Sequence, residues 1–153
     1  MILIKSRLHT MPIDTEALKK DIEMILKKLG YSDFDVGILL TTDKTIRRYN
    51  KQYRSKDQST DVLSFPFYPN VRAGQRITAK NEAEKNLGDI IISLERVRRD
   101  AQKVGRPLEA YLRAIVVHGI SHLLGYTHDT EKDYKQMQKK EDELLDVLKK
   151  PIS

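Results

Sequence analysis

Apolar positions along the chain follow two different periods. Ile2 and Ile4, with Leu8 beyond them, alternate with polar neighbours and predict a first strand with one buried face. From Asp14 or Thr15 the period changes: after Pro12, Leu18, Ile22, Ile25, Leu26 and Leu29 recur at helical spacing, and Gly30 stands where a helix is closed. Residues 36–41, Val-Gly-Ile-Leu-Leu-Thr, are almost continuously apolar, as in a central strand. Asp43 is placed to cap a second helix that turns Ile46, Tyr49 and Tyr53 inward. Two short strands follow, Asp61-Val-Leu-Ser-Phe65, stopped by Pro66, and Asp89-Ile-Ile-Ile-Ser93, introduced by Gly88. Residues 66–87 between them are mostly polar, and a connection of that length predicts a mobile lid or binding loop. Ser93 can cap a third helix with Leu94, Val97, Ala101 and Val104 on one face, ended by Gly105-Arg-Pro107. The most apolar helix covers 108–124 and ends at Gly125. Thr130 and Asp133 resemble a capping box for a last helix that carries Tyr134, Met137, Leu144, Leu145 and Leu148.

Strands interleaved with helices predict an α+β fold: a single domain, 1–153, in which about four strands form one mixed sheet and about five helices pack against it. Strand order is not legible at this stage. Composition then restricts the chemistry. The chain has no cysteine, so thiolate zinc clusters and thiol nucleophiles are excluded, and any transition-metal site must be built from histidine and carboxylate. Lys and Arg number 28 against 22 Asp and Glu, and the net charge of +6 suits a polyanionic partner such as nucleic acid as well as it suits a solvated basic surface. The first residues lack the apolar core of a signal peptide, and no apolar run is long enough to span a bilayer. A cytoplasmic protein without membrane partners is expected.

Three of the four histidines fall within His118-Gly-Ile-Ser-His122-Leu-Leu-Gly125-Tyr-Thr-His128. Random placement would give one histidine partners at both +4 and +10 in roughly 1 case in 1,500, so the spacing calls for a cause. Residues four apart on a helix lie about 40° apart in azimuth and about 6 Å apart along the axis, which lets His118 and His122 chelate one ion. Gly125 can adopt the left-handed conformation that ends the helix and turn His128 back toward the same ion. Three protein ligands leave a tetrahedral ion one open position, the arrangement of catalytic zinc; a purely structural metal, or two histidines packed in a core helix, are the alternatives. His9 has no such spacing. The glutamate base that follows the first histidine of H-E-x-x-H metalloproteases is replaced by Gly119, which weakens a peptidase reading.

These residues resemble the YbeY-like endoribonucleases of ribosomal RNA maturation. The resemblance runs through Asn50-Lys-Gln-Tyr-Arg54, Ser59-Thr-Asp61-Val-Leu-Ser-Phe-Pro66, Leu87-Gly-Asp-Ile-Ile-Ile-Ser93 and the histidine motif itself. It implies a mixed α+β fold with a zincin-like metal-binding helix, one zinc ion on His118, His122 and His128, and single-stranded RNA, ribosomal in origin, rather than DNA as substrate. Ribosome-associated proteins are further partners it allows. It also assigns a functional role to Arg54, whose guanidinium can fork onto a phosphate, although composition alone would make it an ordinary surface arginine. Thr127 departs from the family, which usually carries aspartate before the last histidine.

Other residues stay open between function and scaffold. Arg47, Arg48, Lys51, Arg54 and Lys56 crowd one helix and its exit, and Arg96, Arg98 and Arg99 crowd another; each group could follow a phosphate backbone or face solvent. Asp61 could orient a histidine or a water, or pin a turn. Ser64 belongs to no recognisable triad. Tyr31, Tyr49, Tyr53 and Tyr126 could stack on bases, although tyrosines at such spacing more often pack in a core. The expected function is a zinc-dependent, single-strand-specific endoribonuclease in ribosomal RNA processing and ribosome quality control. A zinc peptidase or amidase, and a non-catalytic ribosome-associated metal-binding factor, are the competing classes.

Overall fold

The alternating segment at the amino end forms β1 (Ile2–Ser6), and the helical stripe after it forms α1 (Thr15–Leu29). There follow β2 (Asp35–Thr41), α2 (Asp43–Arg54), β3 (Val62–Pro66), β4 (Asn86–Ser93), α3 (Leu94–Lys103), α4 (Leu108–Leu123) and α5 (Glu131–Lys149). The structure is a computed structural model that describes residues 1–8 and 10–149, so His9 lies outside the described residues. Among these, no helix is long and apolar enough to cross a membrane.

The four strands make one mixed sheet in the order β1-β2-β4-β3. β1, β2 and β4 run parallel, and β3 pairs antiparallel with β4 at the edge. The two apolar strands β2 and β4 are the interior ones; in β2 Val36, Ile38 and Leu40 are buried on one face, while Gly37 and Leu39 are half-buried on the other. One face of the sheet, with Val36, Ile38, Leu40, Ile90 and Ile92, packs against Leu18, Ile22, Ile25 and Leu26 of α1 and against α4. On the other face Ile46 of α2 meets Leu63 and Ile91 in a smaller cluster. α4 carries eight buried residues, against two in α5, so it is the helix enclosed by the rest.

Caps decide where the helices begin. Asp14 accepts from the Ala17 amide at 3.0 Å to start α1, and Ser93 accepts from the Arg96 amide at 3.2 Å to start α3. For α2 the cap is Thr42 rather than Asp43. Asp43 is freed to tie two helices: it accepts from Ser93 Oγ and from Arg99, each at 2.7 Å, while its own amide donates to Glu95 at 2.8 Å. Burial pushes the Asp43 carboxyl up, but the hydrogen bonds from Arg99 and Ser93 outweigh it and leave the pKa below its ordinary value.

Three expected inward residues point to solvent instead. Tyr53, Val104 and Tyr134 are all more than half exposed. Each stands in the first or last turn of its helix or just past it, where the helix overhangs the surface it packs on. The long connection also differs from a loose lid. Arg76 donates to the Leu29 and Gly30 carbonyls at 2.7 and 2.6 Å and lies over the Tyr31 ring, the Ile77 amide donates to Tyr31 Oη at 2.9 Å, and the Ile77 side chain is buried. The segment is a strap tied to the carboxyl end of α1, because its few apolar residues and Arg76 find partners there that the sequence pattern does not reveal.

Candidate active site

The site is built at the carboxyl end of α4, where the enclosed helix approaches β3. Gly119 makes the approach possible: a Cβ there would come within 3.0 Å of Ile90 carbons on β4, and the Gly119 carbonyl accepts from Ser64 Oγ at 3.2 Å. With that face against the sheet, His118 and His122 turn toward a cleft of about 680 Å³ bounded by β3, the α2–β3 connection and the turn after α4.

The two histidines present the same nitrogen to each other, with His118 Nε2 and His122 Nε2 3.1 Å apart. A tetrahedral zinc with Zn–N bonds of about 2.0–2.1 Å places its nitrogen ligands about 3.3 Å apart, so this pair fits one ion. The turn supplies the third imidazole. Gly125 takes φ +94° under the bend, its amide donating to the His122 carbonyl at 3.0 Å, and Tyr126 N donates to Ser121 O at 3.1 Å. His128 is carried back so that one ligand atom from each of the three histidines lies within 4.8 Å of the others. A side chain at 125 would collide with the Val71 carbonyl, which is how the strap fits over the turn.

The same turn orients His122. Its Nδ1 is 2.8 Å from Tyr126 O, and a carbonyl only accepts, so Nδ1 carries the proton and Nε2 keeps its lone pair for a ligand. Burial, and then the neighbouring His118, lower the His122 pKa below its ordinary value. A neutral, metal-competent imidazole is thereby favoured. His118 Nδ1 faces Glu141 of α5, with Oε1 at 3.3 Å. Glu141 escaped the sequence reading, though a signal existed: it is the one carboxylate on the stripe of Met137, Leu144, Leu145 and Leu148.

Arg54 lines the same cleft. It is the last residue of α2, its guanidinium donates to Ser64 O at 2.8 Å, and its centre lies 5.0 Å from the Phe65 ring centroid. Of the two basic clusters, Lys56 and Arg96 also line the cleft, Arg96 with its Nε paired to Asp100 at 3.2 Å; Arg47 is paired with Asp57 and Arg99 with Asp43. Asp61 lines it as well, at the start of β3, where its carbonyl accepts from Ser93 N at 2.9 Å. Among the tyrosines, Tyr126 reaches the cleft, Tyr31 is core, and Tyr49 and Tyr53 stack on one another away from it.

An α+β fold in which three histidines converge from α4 and its following turn presents a ligand set that could hold a metal ion, an arrangement compatible with a metal-dependent hydrolase. The sequence matches the family described as Endoribonuclease YbeY over residues 3–149. Human Endoribonuclease YbeY is 35% identical over 147 residues, covering 96% of this chain and 87% of the human protein. The proteins of the same name from Sulfurihydrogenibium and Aquifex aeolicus are 38% and 34% identical, covering 96% and 99% of this chain and 91% and 93% of their own length. The solution structure of a Thermotoga maritima protein superposes with a TM-score of 0.60 at 26% identity, covering 97% of this chain and 91% of that one. This chain belongs to the Endoribonuclease YbeY family.

Proposed function

We propose that the whole chain works as one cytoplasmic, zinc-dependent endoribonuclease domain that cuts single-stranded RNA during ribosomal RNA processing and ribosome maturation. The observation that carries the reading is the placement of three convergent imidazoles and the free donors of Arg54 in one basic cleft. In this reading His118, His122 and His128 hold the ion. Bound there, zinc supplies Lewis acidity toward a phosphoryl oxygen and brings the pKa of water down to about 7.

The remaining work falls to the protein's own groups. Arg54 has one donor on Ser64 O and its guanidinium beside the Phe65 ring, which holds the planar fork in place before substrate arrives. The other donors can take two oxygens of the scissile phosphate and offset the charge that develops there. Lys56 and Arg96 line the same cleft and can receive neighbouring phosphates, with His122 kept neutral by its burial.

A peptidase finds less support. Residue 119 lies against Ile90, where a glutamate would be driven into the sheet rather than toward the ligand cluster. The deciding experiment offers zinc-loaded protein labelled single-stranded RNA, duplex RNA and a peptide library. Cleavage of the single strand, abolished by chelation and restored by zinc, is expected; peptide cleavage without RNA cleavage would replace the nuclease by an amide hydrolase.

A further inference from the structure

We propose that Glu141 is a positioning residue for the metal centre, holding the His118 ring through Nδ1 so that α5 helps to build the site. The inference rests on the reading of His118, His122 and His128 as metal ligands. Its starting point is a misplaced charge. Glu141 stands four residues after Met137 and three before Leu144, both fully or nearly fully buried, so it shares the face that α5 turns inward. Its side chain is only 25% exposed.

A half-buried carboxylate on an apolar stripe is unfavourable unless a donor meets it. Among the described residues Glu141 has no Lys or Arg partner, and its side chain meets one donor group, the His118 imidazole at 3.3 Å. That contact does for His118 what the Tyr126 carbonyl does for His122. A carboxylate on Nδ1 fixes the tautomer and the ring plane and so leaves Nε2 aimed at the ligand cluster. The two histidines of α4 are thus aimed by two different pieces of chain, the turn at 124–128 and α5. A surface carboxylate would show neither the burial nor the placement on the apolar face.

The test measures zinc affinity rather than turnover. Zinc is titrated against a chromophoric chelator into the parent, Glu141→Ala and Glu141→Gln proteins, with the melting temperature of each metal-free protein as the folding control. Glu141→Ala should bind zinc about 10–100-fold more weakly, the usual loss for such a partner. Glu141→Gln, which keeps an oxygen acceptor and nearly the same shape, should fall between, and it carries the test if the alanine variant fails to fold. Nitrogen NMR of the zinc-loaded parent should show His118 ligated through Nε2 with a proton on Nδ1. Parental affinity in both variants, or ligation through Nδ1, overturns the proposal. A parent protein that binds no zinc at all overturns the metal reading itself, a result distinct from variants that match a zinc-binding parent.

Discussion

Arg54 and His122 sit in one cleft, yet their substitutions should fail in different ways. Arg54 touches a carbonyl and an aromatic ring, and among the described residues it makes no hydrogen bond to a histidine. Arg54→Ala should therefore keep one zinc per chain and lose about 10²–10³ in cleavage rate, the usual effect of removing a preorganised charge donor. Arg54→Lys should recover only part of it, because an ammonium lacks the planar fork. Loss of the ring contact at an exposed site should cost about 0.5–1 kcal/mol of stability, a control readable by thermal melting. His122→Ala should instead abolish stoichiometric zinc binding, as metal analysis would show. An Arg54→Ala protein that cleaves at the parental rate with zinc intact would return the arginine to being a solvated charge.

At the scale of elements, the turn after α4 decides whether two histidines become three. Gly125 is held at φ +94° with no room for a side chain against Val71. Gly125→Ala combines the left-handed strain of about 1–2 kcal/mol for a residue with a Cβ and a collision with the strap. The variant should melt lower than the parent and bind zinc weakly, since His128 is displaced. Gly105, also at positive φ but with open space around it, provides the comparison. Gly105→Ala should show the backbone strain alone and keep parental zinc affinity; equal zinc affinities in the two variants would contradict the role given to the turn.

For the whole molecule the relevant quantity is where its net charge of +6 is placed. Arg54, Lys56 and Arg96 line the cleft, while Arg98 of the same helix as Arg96 does not. Each phosphate neutralised on a single strand releases counterions, giving a log–log slope of binding against salt near −0.7 per contact. Binding of single-stranded RNA should weaken steeply with salt, and Lys56→Ala or Arg96→Ala should each flatten the slope by about 0.7. Arg98→Ala should leave it unchanged. Equal slopes for Arg96→Ala and Arg98→Ala would mean that the cleft is not the strand's path.

What was legible in the sequence is whatever depends on local spacing. Helical and strand periods place α1, α4 and β2 close to where they form, and the +4 and +10 spacing of His118, His122 and His128 marks the ligand cluster, because a helix and a glycine turn convert sequence distance directly into space. Tertiary structure alone decided the rest. The order β1-β2-β4-β3, the tying of residues 66–87 to α1, the placing of α2's last residue in one cleft with α4's histidines, and the carboxylate of α5 against His118 all join residues distant along the chain. The clearest case is Glu141: 23 residues separate it from His118, and only the packing of α5 on α4 brings a single carboxylate to a ring nitrogen.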